Sequence, residues 1–418
     1  MNMNYRGKKI AILGYGLEGV DAEKFLKSEG ADITVLDQKF DGKYLENLSS
    51  FDFIVRSPGV YRFLPEIVRA EKAGVKITSA VKLFFESCPA RIIGVTGTKG
   101  KGTTSTLIYE ILKADGREVY LVGNIGKPYL ELLPKLNSKA WVVMEMSSFQ
   151  LIDMDISPNI AVVLNITLDH MDWHKSIEEY RNAKKNIVTH QKPFDFAVVN
   201  EEYDTPKGFA TGLKSKVVFF SKKTLKKDFK EGLLLRGQHN LENVAAAVSV
   251  AQIVGVNEKT ILSTIKNFKG LEHRLELVSE VDGRTFYNDS FATGPQPTIA
   301  AIRSFDEPET LILGGSDKGL DFDELGEEIT KRVNVKNILL IGLIGPKIGE
   351  AIKRSGFGGN LEYLGKPDMK EIVRRAFEIT PKGGVVVLSP AAASFDMFEN
   401  YKDRGNQFKK AVLELKNG

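Results

Sequence analysis

One glycine-rich segment constrains this chain more than any other feature: Gly94-Val95-Thr96-Gly97-Thr98-Lys99-Gly100-Lys101-Gly102-Thr103-Thr104. The run Arg91-Ile92-Ile93 leads into it as a strand, and a helical pattern from Thr104 to Leu112 follows. Strand, glycine turn and helix is the context in which such a segment has physical meaning. Glycines let backbone N–H groups close around phosphate oxygens, and the helix start adds positive partial charge. Lys101 supplies a point charge that reaches the outer phosphates. The segment points to a nucleoside triphosphate contacted by Gly97, Thr98, Lys99, Gly100, Lys101, Gly102 and Thr103. Gly102 departs from the usual form, since a metal-binding Ser or Thr is expected there. Thr103 or Thr104 is left to supply that hydroxyl, with Thr103 preferred.

A chain of 418 residues is too long for one ordinary core, so two or three domains are expected. A net charge of +4 is small for this length. It argues against a dedicated nucleic-acid binder and leaves small anionic substrates as natural partners. The sole cysteine, Cys88, has no internal disulfide partner, which suits a reducing compartment. No apolar run approaches the ~20 residues that span a bilayer, and Met1–Lys9 lacks the apolar core of a secretion signal. The expectation is a cytoplasmic monomer without membrane insertion.

Strand and helix signals alternate in three successive α/β stretches. The first has strands at Lys8–Leu13, Ala31–Leu36, Phe53–Val55 and Val75–Ile77, with helices ending near Ser28 and spanning about Val81–Glu86. The second begins at Arg91, with strands at Ile92–Val95, Val119–Val122, Trp141–Glu145, Ile160–Leu164 and Phe196–Val199. Lysine-rich Lys214–Lys230 reads as exposed hairpins and loops, Leu241–Val254 as a helix and Gly270–Arg274 as a linker. In the third, Glu276–Val281 and Arg284–Tyr287 flank the hairpin signal Asp282-Gly283. Strands at Thr310–Leu313, Asn337–Ile341 and Val385–Leu388 follow.

Several polar turns after these strands are placed for chemistry. Gly14, Gly16 and Gly19, with Asp37 at the end of the next strand, fit a turn that binds a diphosphate-containing ligand, or a tight turn of any α/β domain. Glu145, at a strand end beside a phosphate loop, is suited to hold Mg²⁺ directly or through water. His170, within Asn165–Asp172, is a candidate divalent-ion ligand, and His239 and His273 also lie in motif-like places. Lys184 and Lys185, on their own, read as surface lysines. The turns at 288–294, 314–319 and 389–396 all follow strands, and three in one domain favour a second-substrate site.

The order of these motifs resembles the muramyl-peptide ligases of bacterial cell-wall synthesis, and within them the members that add D-glutamate. The resemblance covers essentially the whole chain. It rests on Glu145-Met146-Ser147-Ser148-Phe149-Gln150, Asp169-His170-Met171-Asp172, His239-Asn240 with Asn243, His273-Arg274, Asn288-Asp289-Ser290, and Ser389 through Gly405. It implies three domains: a Rossmann-like UDP-substrate domain (1–90), a central P-loop ATPase-like α/β domain (91–272) and a C-terminal Rossmann-like α/β domain for the amino acid (273–418). The implied activity is ATP- and Mg²⁺-dependent ligation of D-glutamate to UDP-N-acetylmuramoyl-L-alanine through an acyl phosphate, in peptidoglycan precursor synthesis.

The resemblance also assigns residues. Leu17, Glu18, Asp37, Ser57, Asn124 and His170 would hold the UDP substrate. Asn240, Asn243, Arg274 and Asp289 would join the glycine loop on ATP. Thr103, Glu145, His170 and Lys184 would serve two Mg²⁺ ions, with Lys184 as N6-carboxylysine. Thr293, Lys318, Ser394, Phe395 and Tyr401 would frame D-glutamate, and Lys101, Glu145, His170, Lys184 and Arg274 would form the catalytic set. Gly102 is closer to the form of the sister folylpolyglutamate synthetases. Phe291 and Gly294 stand where some D-glutamate ligases carry Lys and Asn. The alternatives are another muramyl ligase or a folylpolyglutamate synthetase-like ligase, separable by an acceptor screen. A nicotinamide oxidoreductase is testable by NADH titration, and a nucleotide-gated binding protein would show no turnover.

Overall fold

The computed structural model describes residues 4–124 and 128–417. Met1–Met3 of the N-terminal segment, and Ile125 and Gly126 of the loop that carries Asn124, lie outside the described residues. The chain divides into two compact units, Met1–Glu231 with Leu241–Ile265, and Gly232–Asn240 with Lys266–Gly418.

The first unit holds two parallel sheets. In strand order the smaller is β2 (Asp32–Leu36), β1 (Lys9–Leu13), β3 (Phe53–Arg56) and β4 (Lys76–Thr78). The larger sheet runs β10 (Lys216–Phe220), β9 (Phe196–Asn200), β8 (Ile160–Val163), β5 (Arg91–Thr96), β7 (Trp141–Glu145) and β6 (Val119–Gly123). One continuous core, with Ile10, Leu26, Phe84, Tyr129, Val142 and Ala161 among its members, runs under both sheets. Buried Asp21, on the helix Leu17–Ser28, accepts the backbone N–H groups of Tyr129 and Leu130 at 2.9 Å each and so caps the turn Leu130–Lys135.

The second unit holds one sheet in the order β11 (Glu276–Val281), β12 (Arg284–Asn288), β16 (Val385–Leu388), β13 (Glu309–Gly314), β14 (Val335–Ile341) and β15 (Asn360–Gly365). Only the β11–β12 hairpin is antiparallel, as Asp282-Gly283 predicts. The central strands β13 and β16 are buried at every residue; β16 is an unbroken apolar run, whereas β13 opens with buried Glu309 and Thr310 before Leu311–Leu313.

Two strands correct the sequence reading. Lys216–Phe220, taken as part of exposed loops, pairs in parallel with β9 as an edge strand. Asn360–Gly365 is the opposite edge of the second unit's sheet and pairs with β14. β10 is apolar after Lys216 but lies within the lysine-rich stretch 214–230, and β15 carries Asn360 and Glu362. The predicted linker Gly270–Arg274 is a tight turn in which Arg274 N–H donates to Leu271 C=O at 3.1 Å. Among the described residues no helix is long and apolar enough to cross a membrane.

Candidate active site

Sheet order gathers the predicted turns. β5 lies between β7 and β8, so the glycine loop, the Glu145 turn and the Asn165–Asp172 turn emerge side by side at one sheet edge. Gly100 has φ +86°, and a Cβ there would meet Asn243 Oδ1 at 2.2 Å, so only glycine fits. The helix Lys101–Ala114 starts directly after it. Lys101 Nζ donates to the carbonyls of Gly97 and Thr98, at 3.1 Å each. Thr104 is buried and its hydroxyl donates to Asn243 at 3.2 Å, whereas Thr103 is only half-buried. Thr98 Oγ1 meets Tyr180 Oη at 2.8 Å, and exposed Lys99 reaches Asp169 at 3.5 Å.

Lys184 is not the surface lysine that its polar neighbours suggest. The helix Ile177–Thr189 turns it inward with Tyr180, Ala183, Ile187 and Val188, and it is 2% exposed. Its Nζ donates to Gly97 C=O at 2.9 Å, with Thr96 Oγ1 at 3.5 Å. Burial, followed by the charge of Lys101, pushes the Lys184 ammonium well below the usual lysine range. Among the described residues no carboxylate lies within 4 Å of it as an ion pair.

Glu145 is buried and accepts from Asn124 Nδ2 at 3.1 Å. His170, at φ +56°, sets its ring edge-on to Phe149 with centroids 4.8 Å apart, and burial lowers its pKa. Among the described residues no three His, Cys, Asp or Glu side chains are grouped to hold a metal ion. A divalent ion here would therefore draw on Thr103, Glu145, His170, phosphate oxygens or a modified Lys184. His174 was missed in the sequence reading. It bridges Ser148 Oγ (2.9 Å) and Glu179 (3.2 Å) and lies over Phe149. Its position four residues after His170 was the available signal.

In the smaller sheet β1 lies between β2 and β3, and their turns line a cleft of about 580 Å³. Leu17, Glu18, Asp37 and Ser57 all face this cleft. Asp37 accepts the N–H groups of Lys39 and Tyr15, and these bonds lower its pKa. Ser57 Oγ donates to Gly14 C=O. Glu18 accepts from Gln150 Nε2 at 2.6 Å, and burial raises its pKa.

In the second unit the three predicted turns leave the adjacent strands β12, β16 and β13. Ser389 Oγ donates to Asp289 at 2.7 Å, and Gly315 packs so closely on Ala393 C=O that a Cβ would come within 2.0 Å of it. Burial pushes the Asp289 carboxyl up to about 7. The Arg274 guanidinium stacks 3.9 Å from the Phe291 ring centroid, and Tyr401 meets that ring edge-on at 5.0 Å. Thr293 is half-buried, Ser394 is buried, and Lys318 and Phe395 are exposed on the same group of turns. Asn240 instead donates to Arg236 C=O at 2.6 Å and falls in the second unit, while Asn243 falls in the first.

The chain is similar to known proteins along most of its length. The chain matches the Mur ligase middle domain over residues 95–251 and the Mur ligase glutamate ligase domain over residues 273–392. It is 41% identical to the UDP-N-acetylmuramoylalanine–D-glutamate ligase of Acetivibrio thermocellus, covering 98% of this chain and 97% of that one. It is 38% identical to the enzyme of the same name from Symbiobacterium thermophilum, covering 98% of each. Its fold is similar to two structures from Thermotoga maritima. A UDP-N-acetylmuramate–alanine ligase matches with TM-score 0.58 and 16% identity over 97% of this chain and 99% of that one. A MurF ligase in complex with ADP matches with TM-score 0.58 and 19% identity over 98% and 96%.

Proposed function

The chain belongs to the Mur ligase family, and from that premise we propose how its residues divide the work of an ATP-dependent ligase that adds D-glutamate to UDP-N-acetylmuramoyl-L-alanine. The observation that carries the reading is that Lys101 and Lys184 both donate to Gly97 of the glycine loop, with Glu145 ending the strand paired beside it, in a chain whose full-length relatives bear that name. The proposed division is three-domain, with a Rossmann-like 1–90, a P-loop 91–272 and a Rossmann-like 273–418, acting as a cytoplasmic monomer.

Carboxylate is a poor electrophile with a poor leaving group, so it must be activated. An oxygen of the L-alanyl carboxylate attacks the γ-phosphorus of ATP, ADP leaves, and an acyl phosphate forms. The amine nitrogen of D-glutamate then attacks the acyl carbon. The amide bond forms as phosphate departs with the former carboxylate oxygen and the nitrogen loses its proton. Such transfer needs positioning and charge neutralisation more than covalent help.

The Gly97–Gly102 backbone and Lys101 cradle the phosphates, and Asn240, Asn243, Arg274 and Asp289 contact the rest of the nucleotide. Leu17, Glu18, Asp37, Ser57, Asn124 and His170 hold the UDP substrate. Thr293, Lys318, Ser394, Phe395 and Tyr401 frame D-glutamate. Two Mg²⁺ ions, when bound by Thr103, Glu145, His170 and a carbamylated Lys184, supply positive charge to the phosphoryl oxygens. The donor set fits: Glu145 and a carbamate are hard oxygen ligands, and the lowered Lys184 pKa favours loss of the proton that carbamylation requires.

The test is a phosphate-release screen across acceptors and amino acids with ATP and Mg²⁺. Release that requires both UDP-N-acetylmuramoyl-L-alanine and D-glutamate is expected. Preference for a longer peptide acceptor or a folate would contradict the assignment.

A further inference from the structure

Arg56 ends β3 with a guanidinium that is fully buried. One face of it holds the cleft: Nη1 donates to the carbonyls of Ser57 at 3.0 Å and Val60 at 2.7 Å, and both residues line that cleft. The other face holds the turn after β7. Nη2 donates to Phe149 C=O at 2.7 Å, and Nε and Nη2 both meet Asp153 Oδ2 at 2.5 Å. Asp153, 3% exposed, is held in turn by Arg62 Nε at 2.7 Å. The Phe149 ring packs on His170 at 4.8 Å and His174 at 5.7 Å. Beside it, Gln150 donates to Glu18 of the cleft.

One rigid, planar donor therefore joins the wall of the cleft to the residue that packs on His170. Buried donors are costly to leave unpaired, so the Ser57–Val60 segment and Phe149 are constrained to move together. We infer that Arg56, fixed by Asp153, is a positioning residue that couples occupancy of the N-terminal cleft to nucleotide binding at the glycine loop. This rests on the function proposed above. By linkage, acceptor in the cleft tightens nucleotide at the loop, and nucleotide tightens acceptor by the same factor.

The test uses the full chain, with ADP and Mg²⁺ titrated calorimetrically in the absence and presence of saturating UDP-N-acetylmuramoyl-L-alanine. In the unaltered protein the acceptor should tighten ADP about fivefold or more, within the usual range of site coupling. In Arg56→Lys and Asp153→Asn the factor should fall to within about twofold of unity, with ADP affinity alone changed less than about threefold. A merely structural role would lower the melting temperature and leave the coupling factor in place. Asp153→Asn keeps the guanidinium but removes the charge that fixes it between the two segments, so it decides the matter if Arg56→Lys does not fold. Coupling that persists in the folded variants, or an unaltered protein that binds acceptor without coupling, overturns this inference alone. Failure of the acceptor to bind the unaltered protein overturns the ligase reading with it.

Discussion

Lys101 and Lys184 share one acceptor: both ammonium groups donate to the Gly97 carbonyl, at 3.1 and 2.9 Å. Two cations on one oxygen repel, and the buried Lys184 has its pKa lowered. Burial is the first cause of the lowered Lys184 pKa and Lys101 the second. A lowered pKa eases loss of the proton, and reaction of the freed amine with carbon dioxide would exchange a disfavoured cation for an anion beside Lys101.

Lys184→Ala should therefore lower turnover on the order of 10²-fold, the scale on which metal-site supports act. Added short carboxylates such as acetate should restore part of it by replacing the carbamate oxygens. Steady-state phosphate release checks this, and full activity without rescue would remove the carbamate.

Lys184→Met should raise the stability of the unliganded protein at neutral pH, by about 1–4 kcal/mol if it behaves as other buried charges replaced by apolar groups do. The sign follows from proton linkage. The folded state binds this proton less tightly than the unfolded chain, so the unaltered protein is penalised below the folded-state pKa. The penalty shrinks as pH rises from that value toward the ordinary lysine value of about 10.5. Chemical denaturation of both proteins across that window should show the gap closing as pH rises.

Phe291 presents its ring face to Arg274 at 3.9 Å. A cation–π contact of about 0.5–2 kcal/mol corresponds to a factor of about 2–30. Phe291→Ala should raise the KM for ATP within that range, and Phe291→Tyr, which keeps the ring face, should not. Initial-rate kinetics on the pair checks the assignment.

Arg404 is fully buried and ties two turns of the second unit together. It donates to Ser290 Oγ (2.9 Å), Ser290 C=O (2.8 Å) and Ala392 C=O (3.1 Å), and burial pulls its pKa down to about 10. Arg404→Lys cannot reproduce that fork. The KM for D-glutamate should rise about tenfold, the KM for ATP should change little, and stability should drop by about 1–3 kcal/mol for the acceptors left unpaired. Kinetics with each substrate varied in turn separates these effects.

The candidate turns were legible because each follows a short apolar strand and carries glycine, acid or hydroxyl residues. The sheet orders then set those strands side by side. The buried charges were not legible. Tyr180, Ala183, Lys184, Ile187 and Val188 recur at helical spacing, so the inward face was present in the sequence, but Arg181 and Lys185 gave the stretch a solvated look. Arg56 and Arg404 are held by carbonyls that periodicity does not reveal, with Phe149 and Ser290 lying 93 and 114 residues away. The edge strand β10 was hidden by the lysines on either side of it, and β15 by its polar Asn360 and Glu362.

The central claim is that the chain activates a carboxylate as an acyl phosphate. Its most direct test supplies UDP-N-acetylmuramoyl-L-alanine labelled with ¹⁸O in the alanyl carboxylate, together with ATP, Mg²⁺ and D-glutamate. One labelled oxygen should appear in the inorganic phosphate for each amide formed, because the bond broken in the second step leaves that oxygen on phosphorus. Unlabelled phosphate accompanying amide formation would contradict the account.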